Sequence, residues 1–198
     1  MPGHVWSVPV DSVCKFVETT SPEAGALLLW STWTVDALYY LTDIDHQVFS
    51  GAMGSLLERH DRQVVDIAHA RWASGGAITA IDLCAAVLGR LHCGITGPRE
   101  CDLEELLRPA RIARLPLGAQ AWANTVQSDP DYAVIKNARD PLTHRRVKRL
   151  LKLSLPRALL DRTVLGTLNP VTVPDLVATC LRVSARQVDA FLLGVPHW

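Results

Sequence analysis

The longer segments of the chain repeat apolar residues at intervals of three and four, and no sustained alternation of apolar and polar positions interrupts them. That period is helical: a helix turns once in 3.6 residues, whereas a strand turns its side chains over at every second position. The pattern predicts an all-α fold, a helical bundle with two long N-terminal helices, shorter helices around residue 140 and a long C-terminal helix. Ser21-Pro22-Glu23 supplies an N-cap, a proline in the first turn and an early acid, so a long helix starts there and carries Leu27, Leu28, Trp30, Val35, Leu38 and Leu41. A second is expected to begin near Asp43 to Asp45 and to run through Val48, Met53, Leu56, Leu57, Val64, Val65, Ile67, Ala68 and Trp72. Its expected stop is Ser74-Gly75-Gly76. A third is expected from about Ala77 to His92, ending at Gly94.

Between Gly94 and Gly118 the pattern changes. Pro98, Pro109 and Pro116 interrupt one short helix with an acidic start, Asp102 to Leu107, which predicts a connecting excursion. Helical spacing resumes from Ala119 to Gln127 and again at Asp129-Pro130. The latter helix is expected to end at Arg139, because proline disfavours helical geometry at the residue before it, and Asp140-Pro141 is expected to start another. Thr172-Val173-Pro174-Asp175 reads as a capping box for the last long helix, which carries Leu176, Val177, Cys180, Leu181, Val183, Val188 and Phe191 toward Gly194. The whole reads as a single domain with residues 1 to 20 as an N-terminal extension.

Composition agrees with one folded domain: 48% of the 198 residues are apolar and 20% charged. Lys plus Arg equals Asp plus Glu at 20 each, so any attraction to nucleic acid must come from a local patch. The cations are 16 Arg and 4 Lys. The cysteines, Cys14, Cys84, Cys93, Cys101 and Cys180, include no CxxC pair and read as reduced thiols in a cytosol. The start, Met1-Pro2-Gly3-His4, has no basic stretch followed by an apolar run, so no secretory signal is expected. Ala24 to Leu41 approaches membrane-spanning length but contains Ser31, Thr32, Thr34 and Asp36 without flanking cations, and reads as a core helix. No membrane association is expected. The six tryptophans read as core residues.

Local charge is far from even. Residues 136 to 157 hold Lys136, Arg139, Arg145, Arg146, Lys148, Arg149, Lys152 and Arg157 against one acid, Asp140. If Leu142 to Leu153 is helical, Val147, Leu150 and Leu151 form its apolar stripe and Arg145, Lys148, Arg149 and Lys152 the opposite face. Such a face is either solvated or a phosphate-binding surface. Arg139 and His144 add chemistry, since an imidazole moves a proton near neutral pH and a guanidinium holds phosphate oxygens without losing its charge. On an unbroken helix the two lie about 140° apart, so their convergence needs the expected break at Asp140-Pro141.

Arg139-Asp140-Pro141-Leu142-Thr143-His144 resembles the R-x(4–6)-H motif of HEPN-domain ribonucleases, α-helical proteins in which Asn, Asp or His usually follows the arginine. A second spacing match, Arg62 to His69, lacks that following residue. The resemblance implies a metal-independent endoribonuclease acting as a homodimer, with the two motifs facing each other across the dimer cleft. It gives His144 the 2′-hydroxyl proton, Arg139 the developing phosphorane-like charge and Asp140 the polar third position. Lys136, Arg145, Arg146, Lys148, Arg149 and Lys152 would hold RNA phosphates, the product would be a 2′,3′-cyclic phosphate, and an antitoxin or regulatory protein is a further expected partner. Attack by a ribose hydroxyl on its own phosphate needs a base and a fixed cation, and no cofactor.

Two other readings compete. The basic helix can serve a non-catalytic interaction module that binds a protein or nucleic acid electrostatically. Asp43, Asp45, His46, His60, Asp61, Asp66 and His69 are metal-ligand types, and His60-Asp61 resembles the dyad of HD-domain phosphohydrolases, although Arg59 and Arg62 set cations beside it. Arg62, Asp66 and His69 at i, i+4 and i+7 also form an ordinary salt-bridged helix face. No glycine-rich phosphate loop and no nucleophile elbow occurs, which disfavours nucleotide-dependent and acyl-transfer enzymes.

Overall fold

The computed structural model describes residues 4–50, 59–96, 101–143, 164–165 and 171–198, with side chains for 4–42, 66–96, 101–139 and 171–198. Among these residues there are eight α-helices: α1 Val10–Thr20, α2 Pro22–Ser50, α3 Arg59–Cys93, α4 Leu103–Leu106, α5 Pro109–Ile112, α6 Leu117–Ser128, α7 Pro130–Thr143 and α8 Val173–Gly194. A 3-10 turn, Val195–His197, follows α8. The described strand structure is one short antiparallel pair, Val164–Leu165 with Val171–Thr172, in which Val164 faces Thr172. The all-α class is as the periodicity requires.

Helix starts follow their caps. The Ser21 hydroxyl oxygen accepts the Ala24 N–H at 3.2 Å, Asp102 accepts Glu105 N–H at 2.8 Å, and Thr172 accepts Asp175 N–H at 3.3 Å. Each satisfies one of the donors that a helix leaves unpaired at its N-terminus. Helix ends depart from the sequence expectation in three places. α2 does not stop near Asp43 but continues to Ser50, and the Thr42 hydroxyl donates back to Leu38 O at 2.9 Å, so this residue is accommodated inside the helix. α3 does not stop at Ser74-Gly75-Gly76 but runs on to Cys93, with the Ser74 hydroxyl bonded to Ala70 O at 2.7 Å. Gly76 serves proximity instead: a Cβ there would stand 3.0 Å from Leu38 Cδ2. The stop is Gly94, at φ +69°, after which Ile95 N–H returns to Gly89 O at 3.2 Å.

The third departure is at Asp140-Pro141. α7 passes through both to Thr143. Proline within a helix removes one N–H···O bond and strains one carbonyl, and the buried Ile135 and Ala138 hold the preceding turns in place.

α3 is the central element, packing against α2, α7 and α8. Its buried face presents Ala70, Ala73, Ala77, Ala80 and Cys84, a row of small side chains at alternating intervals of three and four. Small side chains let α2 approach until the buried Ser31 hydroxyl donates to Ala80 O at 2.8 Å and meets Cys84 Sγ at 3.3 Å. Asp66–Cys93 is long and apolar enough to cross a membrane by composition, and 67% of its most apolar window is buried inside the protein. That hydropathy is accounted for by core packing.

α1 lies in the stretch read as an extension. It packs on α2 through Val13, Cys14 and Val17, and Ser7 ties the chain before it to Asp189 of α8, N–H to Oδ1 at 2.9 Å. At the other end Trp122 donates to Gln187 O at 3.0 Å, and Trp122, Phe191 and Trp198 stack edge to face with centroids 4.9 and 5.4 Å apart. Gly194 admits the Trp198 ring, since a Cβ there would meet it at 2.1 Å. Tryptophan burial is otherwise not as expected: Trp30, Trp33 and Trp72 are 59%, 57% and 69% exposed. Burial also governs the thiols, raising Cys84 and Cys180 to about 12 and leaving them poor nucleophiles.

Ala80→Leu forces extra volume between α2 and α3 and is expected to cost about 1–3 kcal/mol or more, whereas Thr79→Leu on the exposed side stays within about 0.5 kcal/mol. Urea unfolding of the two variants checks this; equal midpoints would contradict the tight α2–α3 contact.

Candidate functional site

Of the residues singled out in the sequence, α7 carries Lys136, Arg139 and Asp140. Tyr132, Lys136 and Arg139 recur at four and three on α7, which packs on α3 and reaches α4 through the Lys136–Glu104 ion pair. Facing them is Asp82, half-buried on α3, whose Oδ1 accepts the Leu103 N–H at 3.1 Å. Asp102 and Glu104 flank it from the start of α4.

The electrostatics of this junction are unbalanced around Asp82. Burial pushes its carboxyl up to about 6, helped by the neighbouring Asp102 and Glu104 charges, while the Leu103 N–H and the Arg139 guanidinium pull the other way. Burial also raises the Tyr132 phenol, with Asp82 and Glu104 adding to it and Arg139 opposing. Lys136 forms an ion pair with Glu104; both side chains are substantially exposed, so the pair contributes little to stability. Arg139 is half-buried, and no described carboxylate lies within ion-pairing distance of it. Arg139 thus lies beside a carboxyl that burial raises to about 6.

α7 continues as one helix through Asp140-Pro141 to Thr143, so the helix restart expected at Asp140 does not occur there. The Asp140 side chain, and His144, Arg145, Arg146, Lys148, Arg149 and Lys152, lie outside the described residues.

In the competing cluster, Asp66 and His69 share α3, while the side chains of Asp43, Asp45, His46, His60, Asp61 and Arg62 lie outside the described residues. Among the described residues no group of three or more His, Cys, Asp or Glu could hold a metal ion. Two open cavities occur elsewhere, neither lined by Arg139: one of about 400 Å³ between His4, Tyr39 and the Arg182 and Arg186 side of α8, and one of about 310 Å³ beside Phe16, His92 and His197.

The residue that sequence reasoning missed is Asp82. Its signal was there, as the only acid in the apolar run from Ala77 to Leu91. No family model matches the chain, and no curated protein or solved structure gives a significant match.

A carboxyl near 6 in the folded protein and 3.8 in the unfolded chain keeps its proton in the folded state between those values. Folding is therefore favoured least above pH 6, where Asp82 must be buried ionised, and the penalty disappears as pH falls below about 4. Asp82→Asn, neutral at every pH, should gain on the wild type by about 2–3 kcal/mol at pH 7.5, with the difference closing toward pH 4. Chemical denaturation across that range measures it, and a pH-independent difference would contradict the assignment.

Proposed function

We propose that the chain is a HEPN-like, metal-independent endoribonuclease that acts as a homodimer. The observation that supports this reading best is the position of Arg139, the first residue of the R-x(4)-H motif: α7 holds it half-buried, with no described carboxylate paired to it. A guanidinium so placed can meet the charge that develops on a phosphorus centre without first breaking an internal ion pair. His144 takes the proton from the ribose 2′-hydroxyl, Asp140 orients the motif, and the freed oxygen attacks its own phosphate to leave a 2′,3′-cyclic end. Because α7 continues as one helix through Asp140-Pro141, the reading assigns the Arg139 and His144 that act on one phosphate to different copies of the chain, facing each other across the dimer cleft. Arg145, Arg146, Lys148, Arg149 and Lys152 supply RNA-phosphate contacts, whereas Lys136 is paired with Glu104.

The second reading, a helical interaction module without catalysis, is favoured by the exposed Trp30, Trp33 and Trp72, which give the bundle surface that a free-standing enzyme core has no need of.

Incubation of the purified protein with total RNA in the presence of EDTA separates the two. The nuclease reading expects cleavage that EDTA does not abolish and that His144→Ala lowers by about 10²–10⁴-fold. Absence of cleavage by the wild type at micromolar concentration sinks it and leaves the interaction module.

A further inference from the structure

On α2, Glu23, Ala26, Trp30, Trp33, Ala37 and Tyr40 are all exposed. Their spacing is three, four, three, four, three. At 100° per residue they fall within about 100° of the helix circumference, and an alternation of three and four approaches the period of about 3.5 at which one helix keeps a seam against another. The opposite side of α2, with Ala24, Leu28, Ser31 and Val35, is the one buried in the core. This outer seam therefore stands apart from the packing of the bundle. Its three aromatic rings are 59%, 57% and 52% exposed at Trp30, Trp33 and Tyr40, with the small side chains of Ala26 and Ala37 between and beside them.

Charge narrows what can cover it. Between Lys15 and Arg59 the sequence has no Lys or Arg, but it has Glu18, Glu23, Asp36, Asp43, Asp45 and Glu58. A second α2 laid against the first would bring together two acidic helices that have no Lys or Arg of their own, and Arg90 of α3, whose charge acts on Glu23, relieves only that end of the seam. RNA and anionic lipid meet the same objection, since neither binds an acidic surface without basic side chains. Cations, in contrast, are attracted both to the carboxylates and to the faces of Trp and Tyr rings.

We propose that the outer face of α2 is a docking seam for a basic amphipathic helix of a partner protein, one with an aliphatic stripe that seats over Ala26 and Ala37 and with Lys or Arg on either side that meet the aromatic rings and acidic flanks. The seam is independent of the Arg139 region and stands whether or not the chain cleaves RNA.

The test uses the full chain and two synthetic amphipathic peptides of about 18 residues, five helical turns, one built of Leu and Lys and the other of Leu and Glu. Titration near 0.15 M salt, followed by calorimetry, should give binding of the Leu/Lys peptide at least ten times tighter than that of the Leu/Glu peptide. Trp33→Ala and Ala37→Lys should each weaken Leu/Lys binding at least tenfold with an unchanged circular dichroism spectrum; both sites are exposed, and Lys is a good helix former. Equal binding of the two peptides, or binding unchanged in both variants, overturns the proposal. Sedimentation of the same proteins decides the other occupants: a wild-type dimer that dissociates in Ala37→Lys gives the seam to a second copy and overturns it, and a dimer that survives the substitution supports it. Sedimentation of the wild type with phosphatidylserine vesicles, lost in Trp33→Ala, would give the seam to a membrane and likewise overturn it.

Discussion

Close approach of α2 and α3 sets the placement of most of the remaining chain. The row Ala70, Ala73, Ala77, Ala80 and Cys84 gives α3 a shallow surface, and the Ser31–Ala80 hydrogen bond together with the Gly76–Leu38 contact fixes how α2 lies on it. A small-residue seam gains less from each side chain than a leucine seam but brings two backbones near enough for side chain to backbone bonds. A buried hydroxyl there satisfies a demand that water can no longer meet. α8 and α7 then cover other sides of α3, and α1 closes over α2.

From this follows the character of the α3–α4–α7 junction. A helix so thoroughly buried has little tolerance for a charge, yet Asp82 sits in its apolar run, turned toward the start of α4 and toward Arg139. The Leu103 N–H compensates part of the burial, and the guanidinium compensates part of the rest, which leaves a carboxyl that ionises near neutrality. Lys136 is ion-paired with Glu104 at the surface, while no described carboxylate lies within ion-pairing distance of Arg139. The proposed function rests on that difference between two neighbouring cations of one helix.

Local chemistry in the sequence was a good guide to where helices begin. Ser21, Asp102 and Thr172 cap as their residue types require, because an N-cap depends on a handful of adjacent atoms. It was a poor guide to where they end. Gly75-Gly76 and Asp140-Pro141 carry the composition of stops, but packing against Leu38 in the first case and burial of Ile135 and Ala138 in the second outweigh a local preference of about 1–3 kcal/mol. The apolar positions Val10, Val13 and Val17 were readable as the face of α1, within a stretch that looked like an extension. Periodicity also tells which side of a helix is apolar but not whether another helix covers it, which is why Trp30, Trp33 and Trp72 read as core and stand in solvent. At the candidate site, Arg139 was legible from a motif, while Asp82 belonged to no motif and only tertiary burial gives it meaning.

The account's central claim, that Arg139 of one copy and His144 of another serve the same phosphate, is most directly tested by mixing. Arg139→Ala and His144→Ala proteins, each inactive alone, are denatured together in equal amounts, refolded and assayed for RNA cleavage in EDTA. Half of the dimers then carry both variants, and one of their two sites has both groups intact, so the account predicts about a quarter of the wild-type rate. A mixture as inactive as its components, beside an active wild type treated in the same way, would contradict it.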